Sequence, residues 1–333
     1  CILLATTAGL GAVGNVITMK TFIHLGISDG VNLSLISLAA SDLFFLISAF
    51  INGISLMLHC VEELSGFNLW FPVDPEVVYM IFTVTGSGFY ACSMLVTTFI
   101  TVVRCLAVAL PLKFRNLLSW QATAVVISLF TVLMLSTTVV LLVYTGVSHQ
   151  FDPNINTTRP APWLPPERTM IKNVIFGARD VFLPLASQMI VGICVVIMAR
   201  YLQKARIFRL KVSKLACLND NAPKNNNVIR DSQINLKTVT KETGSSKAVC
   251  KELQAVQQML LIATVYSLCN MPKVIFNLTE LIVPGFYRDL SYNDVYLTCN
   301  ITRELIQSVN ASVTIFIYWK YNSKFRSHFV LHH

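Results

Sequence analysis

The stretch that decides the fold is VVYMIFTVTGSGFYACSMLVTTFITVV, residues 77–103, which carries no charged side chain. A helix needs about 20 apolar residues to cross the roughly 30 Å hydrocarbon core of a bilayer, and this run is longer. Its first charge is Arg104. A terminal arginine commonly extends its side chain to the membrane interface. The run therefore predicts a membrane-spanning helix, about 77–109, that leaves the lipid near Arg104.

The composition of the whole chain also indicates a membrane protein. The 333 residues are 54% hydrophobic and 13% charged, whereas a soluble domain carries about 25% charged residues. The nine cysteines are scattered without CxxC or Cys/His pairing, which argues against a zinc site. The chain begins at Cys1 inside an apolar run. We therefore expect a fragment whose N-terminal tail is missing.

Apolar runs recur and predict one all-α membrane domain, residues 1–333, that forms a seven-helix bundle. Pro272 interrupts the sixth run and predicts a kink. The polar stretch 202–251 lacks hydrophobic periodicity and predicts a flexible cytoplasmic loop. Aromatic residues four positions apart after the last run predict a short interfacial helix, about 321–331. The predicted spans are about 1–24, 32–59, 77–109, 118–144, 173–201, 252–283 and 296–319.

The distribution of charge predicts the orientation of the chain. Most of the 26 basic residues fall on the same side as the C-terminal tail, and cytoplasmic loops are enriched in Lys and Arg. The glycosylation sequon that begins at Asn156 lies in a loop on the other side. We therefore expect an extracellular N-terminus and a cytoplasmic C-terminus. On this view the net charge of +9 reflects membrane topology rather than nucleic-acid binding.

Enzyme motifs are nearly absent from the sequence. The segment Gly86-Ser-Gly88-Phe-Tyr-Ala91 fits GxGxxA, but it lies inside the third predicted span, where small residues serve helix packing. The motifs HExxH, GxSxG and the P-loop do not occur. We therefore expect no catalytic activity and, apart from a bound ion discussed below, no cofactor.

A set of residues in fixed order carries a family resemblance. It comprises Asn15, Leu38-Ala39-Ala40-Ser-Asp42, Arg104, Pro111-Leu112, Pro184, Cys269-Asn270-Met271-Pro272 and Ile317-Tyr318. In this order and spacing the chain resembles a rhodopsin-like G-protein-coupled receptor along essentially its whole length. Within that family it looks most like divergent invertebrate peptide-type or chemosensory receptors. The resemblance implies an extracellular peptide or small polar ligand and a heterotrimeric G protein as partners, with the lipid membrane around the helices.

The resemblance implies a coupling site at the cytoplasmic end. Glu252 lies twenty residues before Pro272, about 30 Å along a helix at about 1.5 Å per residue. Arg104 ends at the same level, and an Arg104–Glu252 pair would hold two spans together at rest and separate on activation. Two independently solvated charges are the alternative. Tyr318 matches the switch tyrosine of the family.

The resemblance also implies a sodium site around Asp42, together with Ser93 and Asn310. A lone carboxylate at membrane depth is a functional hypothesis by default, and oxygen ligands suit a small hard cation. Asn15 is expected in a second layer around that site, and in the middle of an apolar run it should face the bundle. The alternative is a neutral Asp42 that only packs.

We expect the ligand site between the outer halves of the helices. The pocket face of the third span offers no carboxylate, so an amine ligand is not expected, and mixed charges favour a zwitterion or peptide. The alternative is that Arg179 pairs with Asp180 and Arg303 with Glu304, or that these residues pair with lipid headgroups. The candidate ligand-binding residues are Ser87, Arg179, Asp180, Lys273, Asn277, Arg303 and Glu304.

Departures from the family pattern keep other functions open. Val103 stands where an acid usually precedes the arginine, and Asn270 replaces a tryptophan of the sixth span. The usual disulfide is absent, because Tyr79 stands where its cysteine is expected; Cys299 with Cys60 or Cys1 is a substitute pairing. A receptor-like protein without coupling is one alternative. A secondary transporter or channel is another, although no internal repeat is seen and seven spans are an odd number.

Overall fold

The structure is a computed structural model that describes residues 1–26, 30–109, 119–163, 168–220, 232–283, 286, 293–322 and 325–327. It is built mainly of long helices. In chain order its elements are α1 (Ile2–His24), α2 (Gly30–Leu64), α3 (Pro75–Ala109), α4 (Trp120–Val143), β1 (Gly146–Asp152), β2 (Thr157–Trp163), α5 (Arg168–Ile175), a π-helical segment (Phe176–Phe182), α6 (Leu183–Asp220), α7 (Ser232–Ile282) and α8 (Asn293–Tyr321).

Six helical segments in the described part of the chain are long and apolar enough to cross a membrane. Their surfaces carry exposed apolar side chains: on α4, Val125, Leu129 and Val132 are all more than half exposed. Such a surface suits lipid and not water. The chain is therefore a multi-span membrane protein. The six segments are α1, α2, α3, α4, Asn173–Lys204 and Val256–Ile282.

The seventh predicted span, 296–319, is helical as part of α8 but is not among those six segments. The reason is its polar face, because Glu304, Gln307 and Ser308 are all buried on it. These polar side chains lower the hydropathy of α8, although it packs against α1, α2 and α7. A seven-span bundle therefore stays a prediction.

Small residues allow the helices to approach closely. A Cβ added at Gly11 of α1 would lie 2.0 Å from Ser312 Oγ of α8, and one added at Gly88 of α3 would lie 2.0 Å from Thr138 Oγ1 of α4. Asn15 faces the bundle, as predicted, and its Nδ2 donates to the carbonyls of Gly11 and Ala311, both at 3.0 Å. Close backbone approach and polar bonds between helices are the usual means of packing in lipid.

An aromatic cluster closes the bundle at the end where α1 and α8 finish. The ring of Phe22 lies 5.2 Å from that of Tyr318 and 5.4 Å from that of Phe325. Phe325 is fully buried. Of the predicted interfacial helix, 321–331, residues 325–327 are helical. Residues 323, 324 and 328–331 of that prediction lie outside the described residues.

A β-hairpin replaces what the sequence predicts as a polar loop. β1 and β2 pair antiparallel from Gly146 opposite Trp163 to Asp152 opposite Thr157. Asn156 lies in the turn with φ 54° and is exposed. Asparagine adopts this left-handed conformation more readily than most residues, because its short side chain can bond to the nearby backbone. The sequon is therefore placed at an accessible turn.

The polar stretch 202–251 differs from the predicted flexible loop. α6 continues to Asp220 and α7 begins at Ser232, while residues 221–231 lie outside the described residues. Residues 202–218 are rich in Leu, Lys, Arg and Ala, which are strong helix formers. These residues extend the helix beyond the apolar span. Pro272 lies inside α7, and its kink stays a prediction.

Candidate functional site

A cavity of about 550 Å³ opens among α3, α7, α8 and the β-hairpin, and we call it the hairpin cavity. Gln150, Ala161 and Pro162 of the hairpin line it on one side. Its volume falls within the roughly 300–1,000 Å³ that is typical of small-molecule sites. The position agrees with the expected ligand site between one set of helix ends.

Asp180 is the centre of a buried ionic cluster in the wall of this cavity. Arg179 Nη2 lies 3.0 Å from Asp180 Oδ2 and donates to Ser87 Oγ at 2.9 Å. Lys273 Nζ lies 3.7 Å from Asp180 Oδ1, and Asn277 Nδ2 donates to the Asp180 carbonyl. Arg179 and Asp180 are adjacent, and the wider turn of the π-helical segment lets both side chains point inward.

Lys273 is almost completely buried, at 1% exposure. Its ammonium lies over the Tyr90 ring, 4.9 Å from the ring centre. An isolated charge at this depth would be very costly, and a partner makes it tolerable. Asp180 supplies that partner, so Lys273 and Arg179 are both committed to one carboxylate.

Arg303 and Glu304 diverge although they are neighbours on α8. The Arg303 guanidinium lines the hairpin cavity and lies 5.1 Å from the centre of the Phe276 ring. The Glu304 carboxylate accepts a hydrogen bond from Asn52 Nδ2 at 2.9 Å instead. Consecutive residues of a helix are about 100° apart around its axis, so the two side chains point in different directions. Of the alternative pairings, Arg179 and Asp180 form an ion pair, whereas no ion pair joins Arg303 and Glu304 among the described residues.

The predicted ligand-binding residues thus fall into two groups. Ser87, Arg179, Asp180 and Arg303 line the hairpin cavity, while Lys273, Asn277 and Glu304 lie in the wall behind it and bind wall residues. Sequence reasoning missed residues on the same faces as those it found. These are Tyr79, Phe276, Tyr296 and Asn300. Three of them could have been found from helical spacing. Asn300 lies three residues before Arg303, Tyr296 lies four before Asn300, and Phe276 lies three after Lys273.

The hairpin is fixed to the bundle by Arg159, which is 5% exposed. Its Nη1 lies 2.8 Å from Glu62 Oε1, and its Nη2 lies 2.9 Å from Asp152 Oδ2 and 3.4 Å from Asp74 Oδ2. The carboxylates come from the end of α2, the loop before α3 and β1. The sequence does not single out Arg159, because no local pattern marks this contact.

A second cavity of about 10 Å³ lies deep in the bundle, and we call it the Asp42 cavity. Asp42, Ser93 and Asn310 all line it, and Ser93 Oγ donates to Asp42 Oδ1 at 2.5 Å. The space admits about one water-sized sphere, and its carboxylate, hydroxyl and amide oxygens suit a small hard cation. The residues therefore fit a sodium ion. Asn15 binds backbone carbonyls and does not line this cavity.

No protein-family model matches the chain, and a comparison with curated proteins found no match. The function is therefore inferred from the geometry of the two cavities.

Polar side chains connect the two cavities. The Lys273 ammonium lies over the Tyr90 ring. The Tyr90 hydroxyl donates to Asn270 Oδ1 at 3.5 Å, and Asn270 Nδ2 donates to the Tyr266 hydroxyl at 3.5 Å. Tyr266 lines the Asp42 cavity and lies 2.9 Å from Ser187 Oγ. Asn270, which departs from the family pattern, thus stands at the middle of this path. We call Lys273, Tyr90, Asn270 and Tyr266 the central polar path.

The remaining predicted residues lie at the other end of the bundle or on its surface. Arg104 is half-buried near the end of α3, whereas the Glu252 side chain lies outside the described residues, so their pairing stays a prediction. Tyr318 is buried against Phe22 and Phe325. The substitute disulfide is not formed. Cys1, Cys60 and Cys299 are free and exposed.

Proposed function

We propose that the protein is a plasma-membrane receptor of the rhodopsin-like G-protein-coupled type. It binds an extracellular peptide or small polar ligand, activates a heterotrimeric G protein and performs no catalysis itself. The observation that carries the proposal is the central polar path, which runs from Asp180 in the wall of a ligand-sized cavity to the cavity that Asp42 lines. A receptor needs a ligand site and an element with two arrangements that the ligand can bias.

The proposal includes α8 as the seventh span. Its buried polar face is turned to its helix neighbours, while Val309, Phe316 and Trp319 are exposed and apolar. Membrane helices commonly turn polar residues to the bundle and apolar residues to lipid. The mean hydropathy of a helix averages over both faces. A polar inner face therefore lowers this value even when the outer face is apolar enough to contact lipid.

Orientation follows from charge and from the sequon. Lys and Arg are enriched on the side of the C-terminal tail, which favours a cytoplasmic position. Asn156 is exposed in the hairpin turn at the opposite end, where a glycan is sterically tolerated. The hairpin cavity then faces the outside, and Arg104 lies at the end that meets the G protein.

Ligand binding would act on the central polar path. Asp180 borders the hairpin cavity and holds Lys273, so a ligand that shifts Asp180 also shifts the contacts of Tyr90 and Asn270. Asp42, Ser93 and Asn310 would hold a sodium ion at the far end of the path. These residues come from α2, α3 and α8, and the charge of the ion that they would hold would offset that of the Asp42 carboxylate. Ligand binding would favour a second arrangement of these helices.

Secondary transport is the second candidate, because Asp180, Lys273 and Asp42 are buried charges along one path. Intramembrane ionisable residues also mark ion pathways. Voltage-clamp recording and nucleotide exchange on purified G proteins separate the two functions. The receptor proposal predicts ligand-dependent exchange and no substrate-dependent current. A coupled current without exchange would establish transport instead.

A further inference from the structure

We propose that the ligand of the hairpin cavity is an organic anion with a flat aromatic body, and that Arg303 binds its carboxylate. This inference rests on the proposed receptor function only in treating the cavity as a ligand site. It goes further by naming the ligand chemistry and the residue that recognises it.

The other two cations near the cavity are already committed. Arg179 binds Asp180 with two nitrogen atoms, at 3.0 and 3.2 Å, and also donates to Ser87. Lys273 is buried and pairs with the same carboxylate. A ligand that took either cation would remove one of the two cationic partners of the buried Asp180 carboxylate, which is costly. Neither cation is therefore available as an anchor for an anion.

Arg303 is different, because no ion pair involves it among the residues that the structure describes. Its Nε is buried without a hydrogen-bond partner, and its neighbour Glu304 is bonded to Asn52. The guanidinium is held over the face of Phe276 and borders open cavity. A guanidinium presents paired donors that match the two oxygens of a carboxylate. Arg303 can therefore bind an anion that enters the cavity from outside.

Asp74 and Asp180 of the cavity lining already have cationic partners among the described residues. Asp74 binds Arg159 and accepts from the Glu76 amide at 2.9 Å, and Asp180 is committed as described. Glu76 and Glu280 each have interactions of their own. The cation that borders open cavity without an ion pair among the described residues is Arg303, and it favours a ligand with a negative group. The class of ligand is thereby narrowed from the zwitterion or peptide that the sequence suggests to an organic anion.

Aromatic rings beside Arg303 define the rest of the ligand. Phe276 and Tyr296 both line the cavity, with ring centres 5.3 Å apart, and Phe286 packs against both at 5.8 and 5.6 Å. Rings prefer offset or edge-on contacts with other rings. A flat aromatic body can extend this cluster while its carboxylate reaches Arg303. The volume of about 550 Å³ accommodates a ligand of drug size.

The test is thermal unfolding of the purified full chain in lipid nanodiscs. The probes are phenylacetate, indole-3-acetate and N-benzoylphenylalanine, each compared with its neutral primary amide, and phenethylamine as the matched cation. A ligand that binds only the folded state raises the Tm in a concentration-dependent manner. We expect at least one carboxylate to raise the Tm, while its amide and the amine do not.

Arg303→Gln removes the charge and retains a polar side chain. It should weaken carboxylate binding by about tenfold to a hundredfold, and Arg303→Lys should restore part of it. Lys320→Gln is the matched control, because Lys320 also lies over an aromatic ring, 5.5 Å from the centre of Tyr321, but is exposed and remote from the cavity. It should bind the carboxylate as the wild type does.

Three results would overturn the inference: no carboxylate raises the Tm, the amine or an amide does so equally, or the shift survives in folded Arg303→Gln. Failure of the receptor proposal looks different. Arg303-dependent carboxylate binding without nucleotide exchange on any G protein would uphold the inference and reject the receptor. Nucleotide exchange driven by phenethylamine would uphold the receptor and reject the inference.

Discussion

Arg159 Nη1, on the second strand of the hairpin, lies 2.8 Å from Glu62 Oε1 at the end of α2, although the residues are 97 positions apart. Glu62 is completely buried and also accepts from the Phe71 amide at 2.8 Å. The pair fixes the hairpin over its cavity without a covalent link.

Glu62→Gln should therefore loosen the hairpin and destabilise the protein. Removing one partner of a buried ion pair costs about 3–5 kcal/mol, and the retained Asp152 and Asp74 place this variant at the lower end. Thermal unfolding and hydrogen exchange of residues 146–163 are the measurements. Glu63→Gln is the control, since the Glu63 side chain is 60% exposed and faces only His59 at 3.6 Å. Equal behaviour of the two variants would contradict the role of the Arg159–Glu62 pair.

Gly88→Ala should disturb the contact between α3 and α4. The new Cβ would lie 2.0 Å from Thr138 Oγ1, and overpacking of this kind costs about 1–3 kcal/mol. Gly9→Ala is the control, because its nearest neighbours are ring atoms of Phe50 at 3.5 Å. A lower Tm for Gly88→Ala alone, partly recovered by the additional change Thr138→Ala, is the expected result. Equal Tm values for the two alanine variants would show that α3 and α4 are less close than described.

Asp42→Asn should abolish stabilisation by sodium. The carboxylate is the one formal charge among the predicted ligands Asp42, Ser93 and Asn310, and an ion that binds only the folded state raises its stability. The measurement is the Tm in NaCl against the Tm in choline chloride at equal ionic strength. Ser93→Ala should weaken the sodium effect without removing it. A sodium effect that persists in Asp42→Asn would exclude this site.

Asn270→Leu should separate ligand binding from signalling. The change removes the amide between Tyr90 and Tyr266 while it keeps a similar volume, so the central polar path is interrupted. We expect carboxylate binding in the Tm assay to remain and ligand-dependent nucleotide exchange to fall. Cys269→Ala alters the neighbouring residue outside the path and should leave both unchanged. Undiminished exchange in Asn270→Leu would mean that the path does not carry the signal.

Much of the helical framework could be predicted from the sequence, because a charge-free run at 77–103 has few stable arrangements outside a membrane. The inward position of Asn15 followed from the same physics. The hydropathy of α8 shows the limit of such reasoning. On its inner face Asn300 donates to Tyr79 and Glu304 accepts from Asn52, and such contacts with other helices are invisible in a single sequence.

The remaining features depend on contacts between distant segments. Arg159 meets carboxylates from α2, the loop before α3 and β1, and no local spacing encodes that meeting. The π-helical segment is likewise hidden, since one additional residue in a turn leaves no mark in the hydrophobic pattern. The divergence of Arg303 and Glu304 was accessible, because neighbours on a helix point in different directions.

The most direct test of the receptor proposal is agonist-independent nucleotide exchange on a panel of purified heterotrimeric G proteins. Membranes with wild type, Arg104→Ala or the control Lys20→Ala, at matched expression, are compared with empty membranes. Lys20 is an exposed cation at the same end of the bundle. We predict exchange above background for wild type and Lys20→Ala with at least one G-protein class, and background exchange for Arg104→Ala. Background exchange by the wild type with every class, or equal exchange by wild type and Arg104→Ala, would contradict the proposal.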